Sequence, residues 1–291
     1  MNILNRNRSK AIAVNPWVRL VVILFFVAGF CYFILPVIWL FIAATKTSGD
    51  LYNTPSFEFA NFHLFQNIAA TFQYDNGIYA RWLLNSVIYS GLGSVLTVLV
   101  SALCGHALAV YRFPGRGIIL GVVTASFMIP GTALTQPQYL LLVKLGLNRN
   151  MLGLLLPALV YPFGVVLCWV AERAAVPYEI IEAARVDGAG EWRIFFQIVL
   201  PMMPVGLTTV FLFAFMGSWN NYMLPLMLFN DPKLYPVTVG LAGWNKQSVA
   251  LPDLGTVTLV GAFVSILPLI IIFVISQRYW KTGLSAGAVK V

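Results

Sequence analysis

Residues 182–201 read E-A-A-R-V-D-G-A-G-E-W-R-I-F-F-Q-I-V-L-P, a stretch of mixed charge and small residues set between long apolar runs. Pro177 suits the first turn of a helix, and Glu179 and Glu182 put negative charge near its positive end. Arg185 stands three residues after Glu182, the spacing of an intrahelical ion pair, so a short helix is predicted over 177–187. Gly188 follows where a helix ends with positive φ and a Cβ would be penalised. Beyond that turn, Trp192, Phe195, Phe196 and Val199 recur at i, i+3, i+4 and i+7, which predicts a second helix with one apolar face packed beneath the rest of the molecule. Ala183 and Ala184 are small enough for the first helix to approach another backbone closely, so the segment has the make-up of a short helix seated in a partner's groove.

The chain around this segment has the composition of a membrane protein. Of its 291 residues, 59% are hydrophobic and 10% charged, and the mean hydropathy is +0.83. Stretches of about 20 apolar residues, the length that crosses a bilayer core, are drawn at 17–44, 82–110, 118–141, 152–171, 203–229 and 257–277. The expected fold is therefore all-α and integral to the membrane, with six spans and both termini on one side. With the termini inside, twelve of the 18 Lys and Arg residues fall in the cytoplasm and six outside, while Asp and Glu divide evenly. Basic residues alone carry the bias, as the positive-inside rule requires, and the 182–201 segment lands in the cytoplasm between spans four and five. The +8 net charge is thus spread over short loops; it forms no cluster that would follow the phosphates of a nucleic acid. The first apolar stretch is too long for a secretory h-region and has no cleavage signature after it, so it is expected to be a retained helix. Cys31, Cys104 and Cys168 fall within spans without metal-ligand spacing and are expected to be buried hydrophobes.

Three domains of unequal size follow: a cytoplasmic tail over 1–16, a six-helix membrane domain over 17–281 with its loop at 172–201, and a second cytoplasmic tail over 282–291. The connection from Thr45 to Arg81 is polar enough to cap the outer face. Y-R-F-P-G-R-G at 111–117 turns on Pro114 and Gly115. A short interfacial helix is expected after Pro130-Gly131. Prolines 130, 157, 162, 204, 225 and 268 lie in or near spans, where each tends to kink its helix.

The fixed offsets of Glu182, Ala183, Ala184, Gly188, Ile198, Leu200 and Pro201 resemble the loop signature of the membrane subunits of bacterial ABC importers. The stretch from Trp219 through Asn230-Asp-Pro-Lys-Leu to Val239-Gly-Leu, and the ending Q-R-Y-W-K-T-G-L-S-A-G-A-V-K, are similar to the carbohydrate branch of that family, of the maltose or lactose type. The resemblance implies a cytoplasmic coupling helix that enters a cleft on an ATPase subunit. Glu182, Ala183, Ala184, Arg185, Asp187 and Gly188 would form the dock, with Glu182 on a basic group and Gly188 shaping the turn. It implies as partners a homologous second permease, an ATPase dimer that holds the ATP and Mg, an extracytoplasmic solute-binding protein, a sugar and the lipid of the bacterial inner membrane. The 283–290 tail would reach the ATPase interface, and Gly243, Trp244 and Asn245 would touch the binding protein. No G-x-x-x-x-G-K-[ST] occurs, so this chain holds no nucleotide loop of its own and no bound cofactor is expected.

No span carries Asp, Glu, Lys or Arg in its centre, which disfavours coupling to protons or sodium. S-W-N-N-Y at 218–222 sets amides beside aromatics, the pairing that covers a pyranose face and satisfies its hydroxyls without charge. Trp219, Asn220, Asn221 and Tyr222, with Asn85, are the candidate path residues; interfacial anchoring and interhelical hydrogen bonding explain the same residue types equally well. His106 is expected to be a satisfied packing histidine. An ATP-independent facilitator whose cytoplasmic helix binds a regulator remains the alternative, while a membrane enzyme lacks any cluster of His, Asp or Glu within the spans.

Overall fold

A computed structural model describes residues 15–288, without the side chains of 281–288. The expected N-terminal tail and the contacts of the C-terminal tail lie outside the described residues. In chain order the helices are α1 (Pro16–Thr45), α2 (Ser48–Asn53), α3 (Leu64–Val110), α4 (Arg116–Ser126), α5 (Gly131–Lys144), α6 (Leu152–Leu159), α7 (Pro162–Ala175), α8 (Tyr178–Val186) and α9 (Glu191–Ile194). A π-helical turn (Phe195–Val199) leads to α10 (Leu200–Met202), α11 (Pro204–Trp219) and α12 (Met223–Leu228). After a 3₁₀ turn (Pro232–Leu234) come α13 (Val237–Gln247) and α14 (Pro252–Ala288). The described residues form no strand.

Three helices, α1, α3 and α14, are long and apolar enough to cross a membrane by themselves. The count rises to six if each of three bent pairs is one span: α4 with α5 at 102°, α6 with α7 at 42°, and the 191–202 helices with α11 at 85°. The straight span expected over 118–141 is therefore corrected to two helices that meet at a sharp bend. The breaks follow from proline. Pro162 and Pro204 stand in the first turn of α7 and α11, where a missing N–H costs nothing. Pro130 caps α5 in an extended conformation, with ψ of 126°. The span expected at 203–229 likewise ends at Trp219 and restarts at Met223.

The outer connection expected over 45–81 is mostly helical. α3 starts at Leu64, 18 residues before the span drawn from the sequence, and is interrupted at Tyr74–Gly77. Asp75, Asn76 and Gly77 all have positive φ there, and these are the residue types that tolerate the left-handed region with least strain.

α3 is the central element, packed against α7, α11, α14 and α6. At one end, Ala102, Cys168, Ile181, Ile194, Phe195 and Val210 form a buried cluster that joins the bundle to the 178–203 segment. At the other, Tyr79, Trp82, Phe215, Trp219 and Trp244 form an aromatic core. Packing there is backbone-close: a Cβ on Gly240 of α13 would meet the Trp82 ring at 2.1 Å. α1 touches the rest only near its end, where Ile42, Ala43, Ala44 and Thr45 are buried; its other residues expose an almost unbroken apolar surface. Cys31 shares that exposure, and Cys104 is exposed as well, so of the three cysteines only Cys168 is buried as expected.

Candidate functional site: a presented helix and a polar cavity

α8 ends in a Schellman motif. The Gly188 N–H donates to Arg185 O at 3.0 Å and the Ala189 N–H to Ala184 O at 2.9 Å, with Gly188 at φ +80°. Ile181 is buried in the cluster under the bundle and Ala184 packs against it. Glu182, Ala183 and Asp187 face outward, and Val186 is 88% exposed. The helix thus offers a face that nothing among the described residues covers. The two alanines divide between faces, and Ala184 spends its small size on packing within the chain, not on the outward surface.

The ion pair expected between Glu182 and Arg185 does not form. Arg185 reaches across the Gly188 turn and donates to Glu191, Nε to Oε1 at 2.8 Å and Nη2 to Oε2 at 3.1 Å. Tyr111 OH donates to Glu191 Oε2 at 2.6 Å from the end of α3. A bidentate carboxylate is a better partner than a single-point pair within one turn, because both donors of the fork are satisfied in plane. The Arg185 guanidinium, and then the Tyr111 hydroxyl, hold the Glu191 carboxyl below its ordinary range. The same bond raises Arg185 further above its already high value. Glu182 and Asp187 form no ion pair among the described residues.

The second helix of the loop also departs from its expected face. Ile194, Phe195 and Val199 are buried with Ile198 beside them, whereas Trp192 is 67% exposed and stacks on the exposed Phe196 at 6.1 Å. The π turn at Phe195–Val199 adds a residue to one turn and rotates the buried stripe, which a 3.6-residue period does not anticipate.

A second feature is a cavity of about 250 Å³ enclosed by α3, α6, α11 and the chain just beyond it, with α5 at its edge. Its polar wall includes Gln138, Ser218 and Asn221; its ring-bearing wall is Tyr89, Tyr161 and Phe213. Tyr89 OH is committed to Leu234 O at 2.9 Å and Thr97 Oγ1 to Gly93 O and Ala158 O at 2.8 Å each. No Asp, Glu, Lys, Arg or His lines it.

Among the path candidates, Asn221 faces this cavity. Trp219 does not: it is buried in the aromatic core, stacked on Phe215 at 5.6 Å. Asn220 is exposed and gives its amide to Met216 O at 2.9 Å, and Tyr222 is partly exposed outside the cavity. Asn85 is 2% exposed, with its amide donating to Lys233 O at 2.9 Å and Tyr235 O at 3.0 Å. It ties α3 to the 232–235 turn. Trp244 is buried between Tyr74, Tyr79 and Trp82, while Asn245 beside it is exposed and Gly243 half-buried.

Sequence reasoning missed Gln138, which carries no signature beyond a polar residue in an apolar run, and passed over Ser218 although it opens the S-W-N-N-Y stretch. It also missed the acid facing His106. Glu172 lies one residue past the drawn fourth span, yet is 2% exposed inside α7, with Oε1 2.7 Å from His106 Nδ1.

Comparison with known proteins agrees with this geometry. Residues 97–284 match the family described as binding-protein-dependent transport system inner membrane component. The chain is 31% identical over 256 residues to the diacetylchitobiose uptake system permease protein NgcG of Streptomyces coelicolor, covering 87% of this chain and 83% of that one. It is 36% identical over 217 residues to the arabinooligosaccharides transport system permease protein AraQ of Halalkalibacterium halodurans, covering 74% and 75%. In fold it is similar, with a TM-score of 0.78 at 21% identity over 90% of this chain and 96% of the other, to a chain in the crystal structure of a bacterial ABC transporter that imports the acidic polysaccharide alginate. With the matched region spanning well over half of its length, the chain belongs to the family of binding-protein-dependent transport system inner membrane components.

Proposed function

We propose that this chain is a permease subunit of an ATP-driven importer for an uncharged sugar or oligosaccharide, forming the translocation path with a second, homologous permease. The observation that carries the reading is the uncovered face of α8, with Glu182, Ala183, Val186 and Asp187 outward on a turn braced by Arg185 and Glu191. A face so held and left without a partner among the described residues suits insertion into the cleft of an ATPase subunit. ATP and Mg belong to that subunit, since the sequence has no phosphate-cradling loop. Six spans, counting each bent pair as one, would leave both termini and the 172–201 loop on one side, and the bias of Lys and Arg supports the cytoplasmic side of the inner membrane for them, with residues 17–281 as the membrane domain. An extracytoplasmic binding protein delivers the solute to the opposite face, near Gly243 and Asn245.

The neutral character of the solute is supported by the cavity, whose wall offers amides, hydroxyls and ring faces but no charge. An anionic solute, such as the acidic polysaccharide of the similar structure, calls for a cation in the path. The names of the sugar permeases to which the chain is similar support the same class. Alternating exposure of the cavity to the two sides, driven by closure of the ATPase pair, would move the solute.

Purification of the chain in mild detergent, followed by mass spectrometry, tests the assembly. Recovery of a P-loop ATPase and a second permease is the expected outcome. Recovery of the chain alone after crosslinking, with uptake that persists when ATP is depleted, would instead establish a stand-alone facilitator.

A further inference from the structure

α3 and α7 cross in backbone contact: a Cβ on Gly105 would lie 2.8 Å from Cys168 Cβ and 2.9 Å from Trp169 N. His106 is the next residue on α3, and Glu172 is one helical turn past Cys168 on α7. Their side chains meet at 2.7 Å with exposures of 5% and 2%. The outer atoms of both groups, His106 Nε2 and Glu172 Oε2, are buried without a hydrogen-bond partner among the described residues. As packing this is a poor solution. An apolar pair of similar volume would fill the space without two unmade bonds, and buried pairs replaced in that way commonly lose no stability.

The position of the pair supplies a reason for keeping it. The His106 ring lies 5.2 Å from the ring of Phe195 and 5.9 Å from that of Tyr111. Phe195 is the buried anchor of the loop that follows Gly188, and Tyr111 bonds the Glu191 carboxylate that holds Arg185 of α8. Glu172 also lines a small cavity beside Val176, Tyr178 and Ile181, where α7 gives way to α8. One buried bond therefore sits where both halves of the presented loop meet the two helices that cross at Gly105. Those helices continue to the polar cavity, α3 through Thr97 and α7 from its start beside Tyr161.

We infer that His106 and Glu172 form a positioning joint, through which displacement of the 178–201 loop is passed to α3 and α7. The inference rests on the reading of α8 as the ATPase dock. A directional bond between two buried polar groups either holds or breaks, so it ties two helices to discrete arrangements in a way that interchangeable apolar contacts do not. The unmade bonds at Nε2 and Oε2 leave each group a further valence for a second arrangement.

The test uses the complete transporter, reconstituted in liposomes with its ATPase subunits and binding protein. Three quantities are read: ATPase retained by the permease, ATP hydrolysed, and solute taken up per ATP. The double variant His106→Phe/Glu172→Leu keeps a ring against Phe195 and leaves no lone buried charge. It is expected to assemble and hydrolyse ATP, with uptake per ATP lowered about tenfold or more, the size of an ordinary coupling between sites. Glu172→Gln keeps an acceptor for His106 and is expected to stay within about twofold of the parent. Parental uptake per ATP in the double variant overturns the joint, and so does failure of the double variant to assemble, which would make the pair a structural requirement. If the parent chain itself retains no ATPase, the docking reading falls and the joint with it.

Discussion

Gly188 separates two effects that act at one residue. A Cβ there meets nothing within 4 Å, so Gly188→Ala pays only for its φ of +80°, about 1–2 kcal/mol. Asp tolerates positive φ better than Ala but adds a charge to the uncovered face. Gly188→Asp is therefore expected to abolish ATP-driven uptake with the protein still inserted, and Gly188→Ala to retain part of it; uptake assays on membranes with matched protein levels decide this. Normal uptake by the Asp variant would remove the docking role. Glu182 forms no ion pair among the described residues, so Glu182→Lys should leave thermal stability unchanged while ATPase retention in pull-down falls. Asn85 and Asn221, two of the three asparagines among the path candidates, should part in the same way. Asn85→Leu takes the amide donor from Tyr235 O while Lys233 O keeps the Arg81 Nε–H, and should cost about 1–3 kcal/mol in stability. Asn221→Leu should lower uptake or raise its KM while the melting temperature holds.

At the scale of elements, the loop is braced by a bond that sequence spacing did not suggest. Exchange of the partners, Arg185→Glu with Glu191→Arg, should recover part of the ATPase retention lost in either single variant, measured by the same pull-down. Because the Glu191 carboxyl is held below its ordinary range, the stabilisation it gives is present above the unfolded carboxylate value and lost as pH falls through the lowered one. Retention should accordingly be flat from about pH 8 to about pH 5 and fall only at more acid values. The opposite end depends on close approach. Gly240→Ala would drive a Cβ into the Trp82 ring and should cost about 1–3 kcal/mol, seen as a lower melting temperature in detergent.

For the whole molecule, orientation is the property that every functional statement needs. With the α8 loop cytoplasmic, a cysteine introduced at Glu179, which is exposed, should react with a membrane-impermeant maleimide only after the cells are opened. One at the exposed Asn245 should react in intact spheroplasts. The reverse pattern would invert the topology and remove the dock from the ATPase. In transport, the uncharged wall of the cavity leads to the expectation that neutral oligosaccharides compete for uptake and their uronate counterparts do not. The apolar length of α1, exposed almost throughout from Trp17 to Ile38, has the chemistry of a surface that faces lipid.

Local chemistry was legible in the chain because it depends on neighbours a few residues apart. Composition and apolar length established a helical membrane protein, and the offsets around Glu182 and Gly188 located both the presented helix and its left-handed stop, since a helix end is written in four or five consecutive residues. Three of the six drawn spans fall on single long helices and three on or beside bent helix pairs: apolar length does not reveal that α4 and α5 meet at 102°. Whether Asn85 and Trp244 faced a path or a core, whether Arg185 chose Glu182 or Glu191, and that His106 met an acid 66 residues away were decided only by tertiary structure. In each case the partner is remote in the chain, and the angles at which helices cross, set by glycines and prolines acting together, choose which remote groups become neighbours.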